Sequence, residues 1–330
     1  MDYKLEEIRS EMDSVRERIN NMRTRLKDFF VNKSDHLDLM VLCMATQEPL
    51  LIVGPPGTAK SDLIVKFCQA LGLNGSEYFE YLLTKFTEPS EIIGPIDISA
   101  LKDGRYMRKV GGKLPEAKIA FLDEIFKSNS AILNALLTII NEKKYYQDGQ
   151  PVPVALKMLF AATNEIPEFS ELSALKDRFT LKIQSSPVSD THFEQLLCKG
   201  LRNDNWKSLN QKPWAELANF EDFIKVKAYV DQLLQRALNN QPGEVFDDPY
   251  FPEEIQILFK RILKTLVRED KLSISDRKIV KLYKLIRTRA FLFRGEAVSR
   301  EDLSILRYTA DRIQDFEPIA NKVDTLLSLK

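Results

Sequence analysis

Apolar residues at the start of the chain recur every three or four positions. Leu5, Ile8, Met12, Val15, Ile19, Met22, Leu26 and Phe29 form one stripe, and Glu, Arg, Lys and Asp fill the faces between them. That spacing predicts one long amphipathic helix with a heptad seam. Two fates fit the seam. Packing on the body of the protein is the favoured one; a coiled coil with a second copy or a partner helix is the other. Leu37 to Met44 then reads as a short helix behind a Ser34-Asp35 cap.

The pattern next changes to continuous apolar runs with polar ends. Pro49 to Val53, Tyr78 to Leu83 and Met158 to Thr163 read as strands, and Lys118 to Leu122 as a central parallel strand buried on both faces. A helix following Ser61 stops at Leu71-Gly72, and another opens at Glu88-Pro89-Ser90-Glu91 and ends near Gly94-Pro95. Two stretches break the strand–helix alternation. Residues 96–117 carry Asp103-Gly104 and Gly111-Gly112, and residues 143–156 carry Asp148-Gly149 between two β-prone segments. Both are predicted to be β-hairpins. After Pro187 the strand signals stop. Helical periodicity covers 190–199, 219–239, 253–268, 276–293, 300–314 and a final stretch. Residues 200–218 are polar and weakly periodic, with Trp206 and Trp214 expected to be pinned to the body, and 239–252 reads as a loop. The expected organisation is a long helix (1–33), an α/β domain with a parallel sheet and two hairpin insertions (34–187), and an all-α domain (188–330).

Chemistry enters directly after the first strand. Gly54-Pro55-Pro56-Gly57-Thr58-Ala59-Lys60-Ser61 is a phosphate-binding loop between a strand and a helix. Backbone N–H groups and the helix N-terminus surround an anion, a Lys reaches the β- and γ-phosphates, and a Ser hydroxyl ligates Mg2+. The usual pattern has Gly before the Lys. Ala59 stands there instead, and its methyl group is expected to limit the backbone to negative φ. The 118–122 run ends in Asp123 and Glu124, at the carboxyl end of a strand, where ligands bind in open α/β sheets. Asp123 can hold Mg2+ through water, and Glu124 can polarise an attacking water. Asn164, at the end of the 158–163 run, can orient that water. Arg178 precedes a further strand and is better placed to reach a neighbouring subunit's nucleotide than its own. Ser275-Asp276-Arg277 opens a helix in the C-terminal part. Each of these polar groups alone is commonly a surface residue or a cap. In this order behind one phosphate loop they form a nucleotide-hydrolysis set.

Composition narrows the classes further. The chain has 330 residues, 44% hydrophobic and 29% charged, enough for two domains and a sizeable core. Forty-eight basic residues balance 48 acidic ones, so overall charge gives no argument for nucleic-acid binding. Cys43, Cys68 and Cys198 lie far apart without a Cys-x-x-Cys and read as reduced core thiols of a cytoplasmic protein. His36 and His192 make no metal pattern, no apolar run reaches membrane-spanning length, and the N-terminus is too charged for a signal peptide.

The motif series resembles the AAA+ ATPases, most closely the MoxR family and within it the RavA subgroup. The matching stretches are residues 54–61, Glu80 to Phe86, Phe121 to Ile125, Ile132 to Leu137, Ala162 to Glu165 and Ser275 to Arg277, and the likeness spans roughly residues 30–310. The subgroup tolerates Ala at position 59. The resemblance implies an αβα core followed by an all-α lid. It assigns Gly54 to Ser61 to Walker A, Asp123 and Glu124 to Walker B, Asn164 to sensor 1, Arg178 to an arginine finger acting in trans, and Arg277 to sensor 2. It implies the cofactors ATP and Mg2+, a hexameric ring, a partner with a von Willebrand factor A domain, and chaperone-like remodelling of a protein client. The two insertions resemble those of the helix-2-insert clade, where they face the central channel or the partner. Base contacts are expected from residues near 32–37 and the lid. Two other functions stay open: a nucleotide-dependent assembly scaffold whose ATPase only resets it, and a GTP-driven motor of the same clade.

Overall fold

A computed structural model describes residues 9–73, 75–169, 172–188, 190–239, 248–295 and 297–329. Leu5 and Ile8 of the N-terminal stripe, and most of the 239–252 loop, lie outside the described residues.

The described strands are β1 (Leu50–Val53), β2 (Tyr78–Leu82), β3 (Ile119–Asp123), β4 (Lys144–Gln147), β5 (Gln150–Pro153), β6 (Met158–Thr163) and β7 (Leu181–Gln184). Five of them form a parallel sheet in the order β2-β3-β6-β1-β7. All four residues of β1 and all six of β6 are buried, as continuous apolar runs at the centre of a parallel sheet require. Register is fixed by pairs such as Val53 with Thr163 and Val53 with Gln184, which bring the ends of β6, β1 and β7 to one level.

The helices are α1 (Met12–Phe29), α2 (Ser34–Thr46), α3 (Lys60–Ala70), α4 (Pro89–Ile93), α5 (Ile98–Lys102), α6 (Ser130–Glu142), α7 (Ser173–Lys176), α8 (Phe193–Ser208), α9 (Phe220–Asn239), α10 (Glu253–Glu269), α11 (Asp276–Arg294) and α12 (Phe316–Ser328). Every described secondary-structure element after β7 is a helix. Residues 300–308 form a 3₁₀ helix where an α-helix over 300–314 was expected, and Ser299 and Asp302 close a capping box at its start. The polar 200–218 stretch is helical to Ser208, because α8 continues past the expected end. Helix α2 begins at Ser34 after Lys33, with no side-chain cap, so the Ser34-Asp35 cap is not formed.

Helix α1 packs on the body of the protein. Met12, Val15, Ile19, Met22, Leu26 and Phe29 are all buried, against α2, α3, α9 and α11. Asn20 Nδ2 donates to Leu292 O at 2.9 Å, and Arg18 pairs bidentately with the buried Asp222. The helix therefore joins the α/β part to the helical part. Its last residue, Phe29, meets Trp214 edge-on at 4.6 Å and stacks with Trp206 at 6.1 Å. Both tryptophans are thus held by the end of α1.

The two insertions differ. β4 and β5 form the expected hairpin, with Asp148 (φ 50°) and Gly149 (φ 72°) in a left-handed two-residue turn. Residues 96–117 do not form a hairpin of two strands. Asp97 caps the short helix α5 by accepting from Ser99 N, and Asp103-Gly104 ends that helix with Gly104 at φ 77°. The same dipeptide that closes hairpins also supplies a helix C-terminus. One antiparallel bridge, Ile96 with Arg108, closes the base of this arm. Its far end is tied to the hairpin by Asp148 N to Tyr106 O at 2.7 Å. Cys43 and Cys68 are buried, but Cys198 is exposed on α8, which departs from the expected core position.

Candidate functional site

Residues 54–61 run from the end of β1 into α3, and the structure shows what shapes them. Gly54 N donates to Thr163 O at 3.0 Å, continuing the β1–β6 ladder. A Cβ on Gly54 would lie 2.0 Å from Ser185 O, so only glycine fits the approach of β7's continuation. Gly57 lies at φ 79°, and its surroundings are open. Thr58 Oγ1 donates to Pro55 O at 2.9 Å, folding the loop over itself. Leu63 N to Ala59 O at 3.0 Å closes the first turn of α3. The helix start thus faces the loop's concave side, as anion sites need.

Ala59 corrects the sequence expectation. It adopts φ 61°, ψ 24°, the left-handed conformation, despite its methyl group. The cost for an L-residue is about 1–2 kcal/mol. Anchors on both sides hold the loop in place. Ser185 Oγ donates to Thr58 O at 3.0 Å, and the buried Lys33 donates to Ser185 Oγ at 2.8 Å and to Ser186 O at 3.1 Å. Sequence reasoning placed Lys33 only within the expected base-contact segment 32–37, not as an anchor of the loop, and missed Ser185 and Ser186. The one local signal was a lysine two positions after an apolar stretch, Phe29-Phe30-Val31, just ahead of α2.

Lys60 is buried and its ammonium is surrounded by oxygens: Gly54 O at 2.5 Å, Pro55 O at 2.9 Å and Asn164 Oδ1 at 3.2 Å. Burial lowers its pKa, against the opposing pull of Asp123 and Glu124. Burial also lowers that of Lys33, with Lys60 adding a like charge. Ser61 Oγ lies 3.4 Å from Asp123 Oδ2. Cis oxygens on an octahedral Mg2+ are separated by about 3 Å, so this hydroxyl–carboxylate pair suits that ion. Among the described residues no cluster of three His, Cys, Asp or Glu could hold a metal by itself. A cation here would need phosphate oxygens as well.

β3 delivers Asp123 and Glu124. Glu124 N donates to Asp123 Oδ1 at 2.9 Å, and Glu124 itself lies at φ 53°, turning its side chain back towards the sheet. Asn164 Nδ2 donates to Glu124 Oε1, and Asn164 N to Glu124 Oε2 at 3.4 Å. Lys127 faces the same carboxylate at 3.2 Å. Lys60, Asn164 and Glu124 therefore form one hydrogen-bonded chain across β1, β6 and β3. Gly54 to Ser61, Asp123, Glu124 and Asn164 are all brought together.

Arg178 and Arg277 are not. Arg178 follows α7, is half-buried, and meets Asp177 at 3.5 Å. Arg277 is exposed in the first turn of α11. The next residue, Lys278, is buried and bonds to Thr309 O at 3.3 Å and Asp311 Oδ1 at 3.4 Å. Asp311 also accepts from Lys182 Nζ at 2.8 Å. Lys182 is the second residue of β7, about 10 Å back along the strand from the level of the phosphate loop. Burial lowers the Lys182 pKa to about 8. Burial alone would raise Asp311, but Lys182 and Lys278 outweigh it and hold the carboxyl below its usual range.

A cavity of about 450 Å³ adjoins the loop. Phe30, Val31 and Lys33 line one wall, Gly57 to Ala59 a second, and Pro187, Val188 and Leu196 a third. The expected base-contact segment, 32–37, contributes Lys33, and the residues just before it contribute more.

Comparison with known proteins bears on the family and the fold. Residues 17–224 match the family described as the MoxR domain in MoxR-vWA-beta-propeller ternary systems, and residues 254–319 match an AAA lid domain. The chain is similar to the uncharacterised protein MJ0812 of Methanocaldococcus jannaschii, with 34% identity over 291 residues, 88% of this chain and 70% of that protein. MJ0079 of the same organism is 33% identical over 298 residues, covering 90% and 71%. A crystal structure of a presumed ATPase from Cytophaga hutchinsonii shares the fold with a TM-score of 0.70, at 14% identity, covering 98% and 97% of the two chains.

Proposed function

The chain belongs to the MoxR family of AAA+ ATPases, and from that premise we propose that it is a Mg2+-dependent ATP hydrolase whose sites are completed between subunits of a ring. The observation that carries the reading is the hydrogen-bonded chain from Lys60 through Asn164 to Glu124. It links the residue that would hold the terminal phosphate to the one that would activate water.

In this reading the loop amides of 57–61 and the start of α3 bind the phosphates, and Lys60 exchanges its carbonyl partners for phosphate oxygens. Ser61 and Asp123 would hold Mg2+, which neutralises phosphate charge when bound. Asn164 orients Glu124, and Glu124 accepts a proton from water aligned with the terminal phosphate. The apolar cavity beside Gly57 to Ala59 would take the base. No described contact joins Arg178 or Arg277 to the loop of its own chain; we assign Arg178 to the neighbouring subunit's site and Arg277, at the start of α11, to the sensor 2 role in the lid. A trans-acting arginine can be worth about 10³–10⁵ in rate, so turnover depends on assembly.

Finer points belong to the same proposal. The family's setting beside vWA proteins supports a von Willebrand factor A domain partner, and a hexameric ring that remodels a protein client follows from the motif resemblance. The motif series favours the RavA subgroup. Residues 34–187 would be the nucleotide-binding domain and 188–330 the lid, with 1–33 packed on both, in a cytoplasmic protein. No helix among the described residues is long and apolar enough to cross a membrane. The direct test is Glu124→Gln. It should bind ATP with nearly parental affinity and hydrolyse it about 10²–10³ times more slowly. Near-parental turnover would remove Glu124 from its role.

A further inference from the structure

Phe86 is 89% exposed, more than any other large apolar side chain among the described residues. A lone exposed apolar residue is ordinary. The scaffolding beneath this one is not. Phe86 rides on a turn that runs from Leu83 to Thr87, between β2 and α4. Thr84 N donates to the buried Thr87 Oγ1 at 2.9 Å, Thr87 N to Thr84 O at 3.2 Å, and Phe86 N to Thr84 Oγ1 at 3.2 Å. The turn is stiff, and its ring points into solvent.

Both ends of this turn are fastened to the segment that carries Asp123 and Glu124. At one end Leu83 N donates to Asp123 O at 2.9 Å. At the other, Asn129 Nδ2 donates to Thr87 O at 2.8 Å and to Lys85 O at 3.5 Å. The other end of the same amide is also used, since Asn129 Oδ1 accepts from Ile132 N at 3.1 Å and caps α6. Between Glu124 and Asn129 the chain is a compact lever. Lys127 N donates to Glu124 O at 2.8 Å, Ser128 Oγ to Ile125 O at 2.9 Å, and Ile125 and Phe126 are buried. A displacement of 123–129 therefore cannot leave 83–87 behind.

We propose that Asn129 is a positioning residue that couples the Asp123–Glu124 segment to the Phe86 turn, so that the exposed ring shifts with the nucleotide state of the site. The inference rests on the nucleotide-site reading above. Lys60, Asn164 and Glu124 share one hydrogen-bonded chain, so recruitment of Lys60 by phosphate releases an oxygen of Asn164 and changes what holds Glu124. Glu124 and Asp123 are the start of the lever, and Asn129 is its end.

The amide's double use supplies the test. Asn129→Asp is isosteric and keeps the cap, because aspartate is a good N-cap. It loses the donor to Thr87 O and Lys85 O. Asn129→Ser keeps the cap and lacks the reach, and serves if the charged variant folds poorly. In the full chain with Cys198→Ser, Phe86→Cys is labelled with an environment-sensitive fluorophore, and Mg-ATP binding is measured separately by equilibrium dialysis. The expected result is a nucleotide-dependent emission change in the labelled parent. In either Asn129 variant that emission change should be largely lost, with the dissociation constant unchanged. An undiminished emission change in the variants would overturn the proposal, as would no change in a parent chain that binds nucleotide. Absence of nucleotide binding in the dialysis would instead overturn the reading of the site on which the proposal rests.

Discussion

Asn164 Oδ1 accepts a hydrogen bond from Lys60 Nζ at 3.2 Å while the same amide donates to Glu124. One neutral side chain thus spans Lys60, proposed to hold phosphate, and Glu124, proposed to activate water. Asn164→Ala should leave ATP binding nearly intact, because Lys60 and the loop amides remain, and lower turnover by about 10²-fold. Steady-state kinetics with a separate binding isotherm checks this. A loss confined to KM would mean that Asn164 binds rather than orients.

The phosphate loop makes two contrasting demands on its small residues. Gly54→Ala would drive a methyl group into Ser185 O, and backbone must shift to relieve it. We expect about 1–3 kcal/mol of destabilisation and lost nucleotide binding. Ala59 already tolerates φ 61°. Ala59→Gly should keep binding and change stability by no more than about 1 kcal/mol, because relief of strain and added chain entropy oppose one another. Ala59→Val should cost more, since β-branched residues rarely adopt that conformation. Thermal melts of the three variants rank them; equal melts for Ala59→Gly and Ala59→Val would contradict the left-handed assignment.

Helix α1 is part of the core, so its seam should behave as core. Ile19 is fully buried, and Ile19→Ala should lower the unfolding free energy by about 2–5 kcal/mol in denaturant titrations. A change within about 0.5 kcal/mol would fit an exposed coiled-coil seam instead.

His36 gives the fold an acid limit. Its ring is buried beside Lys33, and burial first, then the lysine's charge, lower its pKa from 6.5 to about 3. The unfolded chain therefore binds a proton that the folded chain refuses. The stability contribution is full above the unfolded value and is lost as pH falls from 6.5 towards 3. The slope is about 1.4 kcal/mol per pH unit within that window. Urea titrations at several pH values should show it, and His36→Gln should flatten it. An unchanged slope in the variant would assign the acid sensitivity to other groups.

The strands and the phosphate loop were legible because their signals are local. A strand buried on both faces is a continuous apolar run, and residues 54–61 are a loop whose spacing dictates its own shape. The 96–117 arm was not legible, because Asp103-Gly104 serves a helix end as well as a hairpin and Asp97 tips the choice by capping α5. Lys33 and Ser185 were hidden for another reason: they meet the loop only through tertiary contacts, across more than 100 positions of chain. The conformation of Ala59 ran against a local rule because those distant anchors outweigh a cost of about 1–2 kcal/mol. Arg178 and Arg277 show the limit of one chain. Their order along the sequence fits a hydrolysis set, but neither is described in contact with the loop of its own chain, and only the proposed neighbour would give Arg178 a nucleotide to reach.

Phosphate release from Mg-ATP as a function of protein concentration shows whether that neighbour is required. A site shared between subunits gives a per-subunit rate that climbs with concentration as subunits meet, and an Arg178→Ala chain that stays slow at every concentration. A parental rate that is flat with concentration, or an Arg178→Ala chain as fast as the parent, would contradict a site built between subunits.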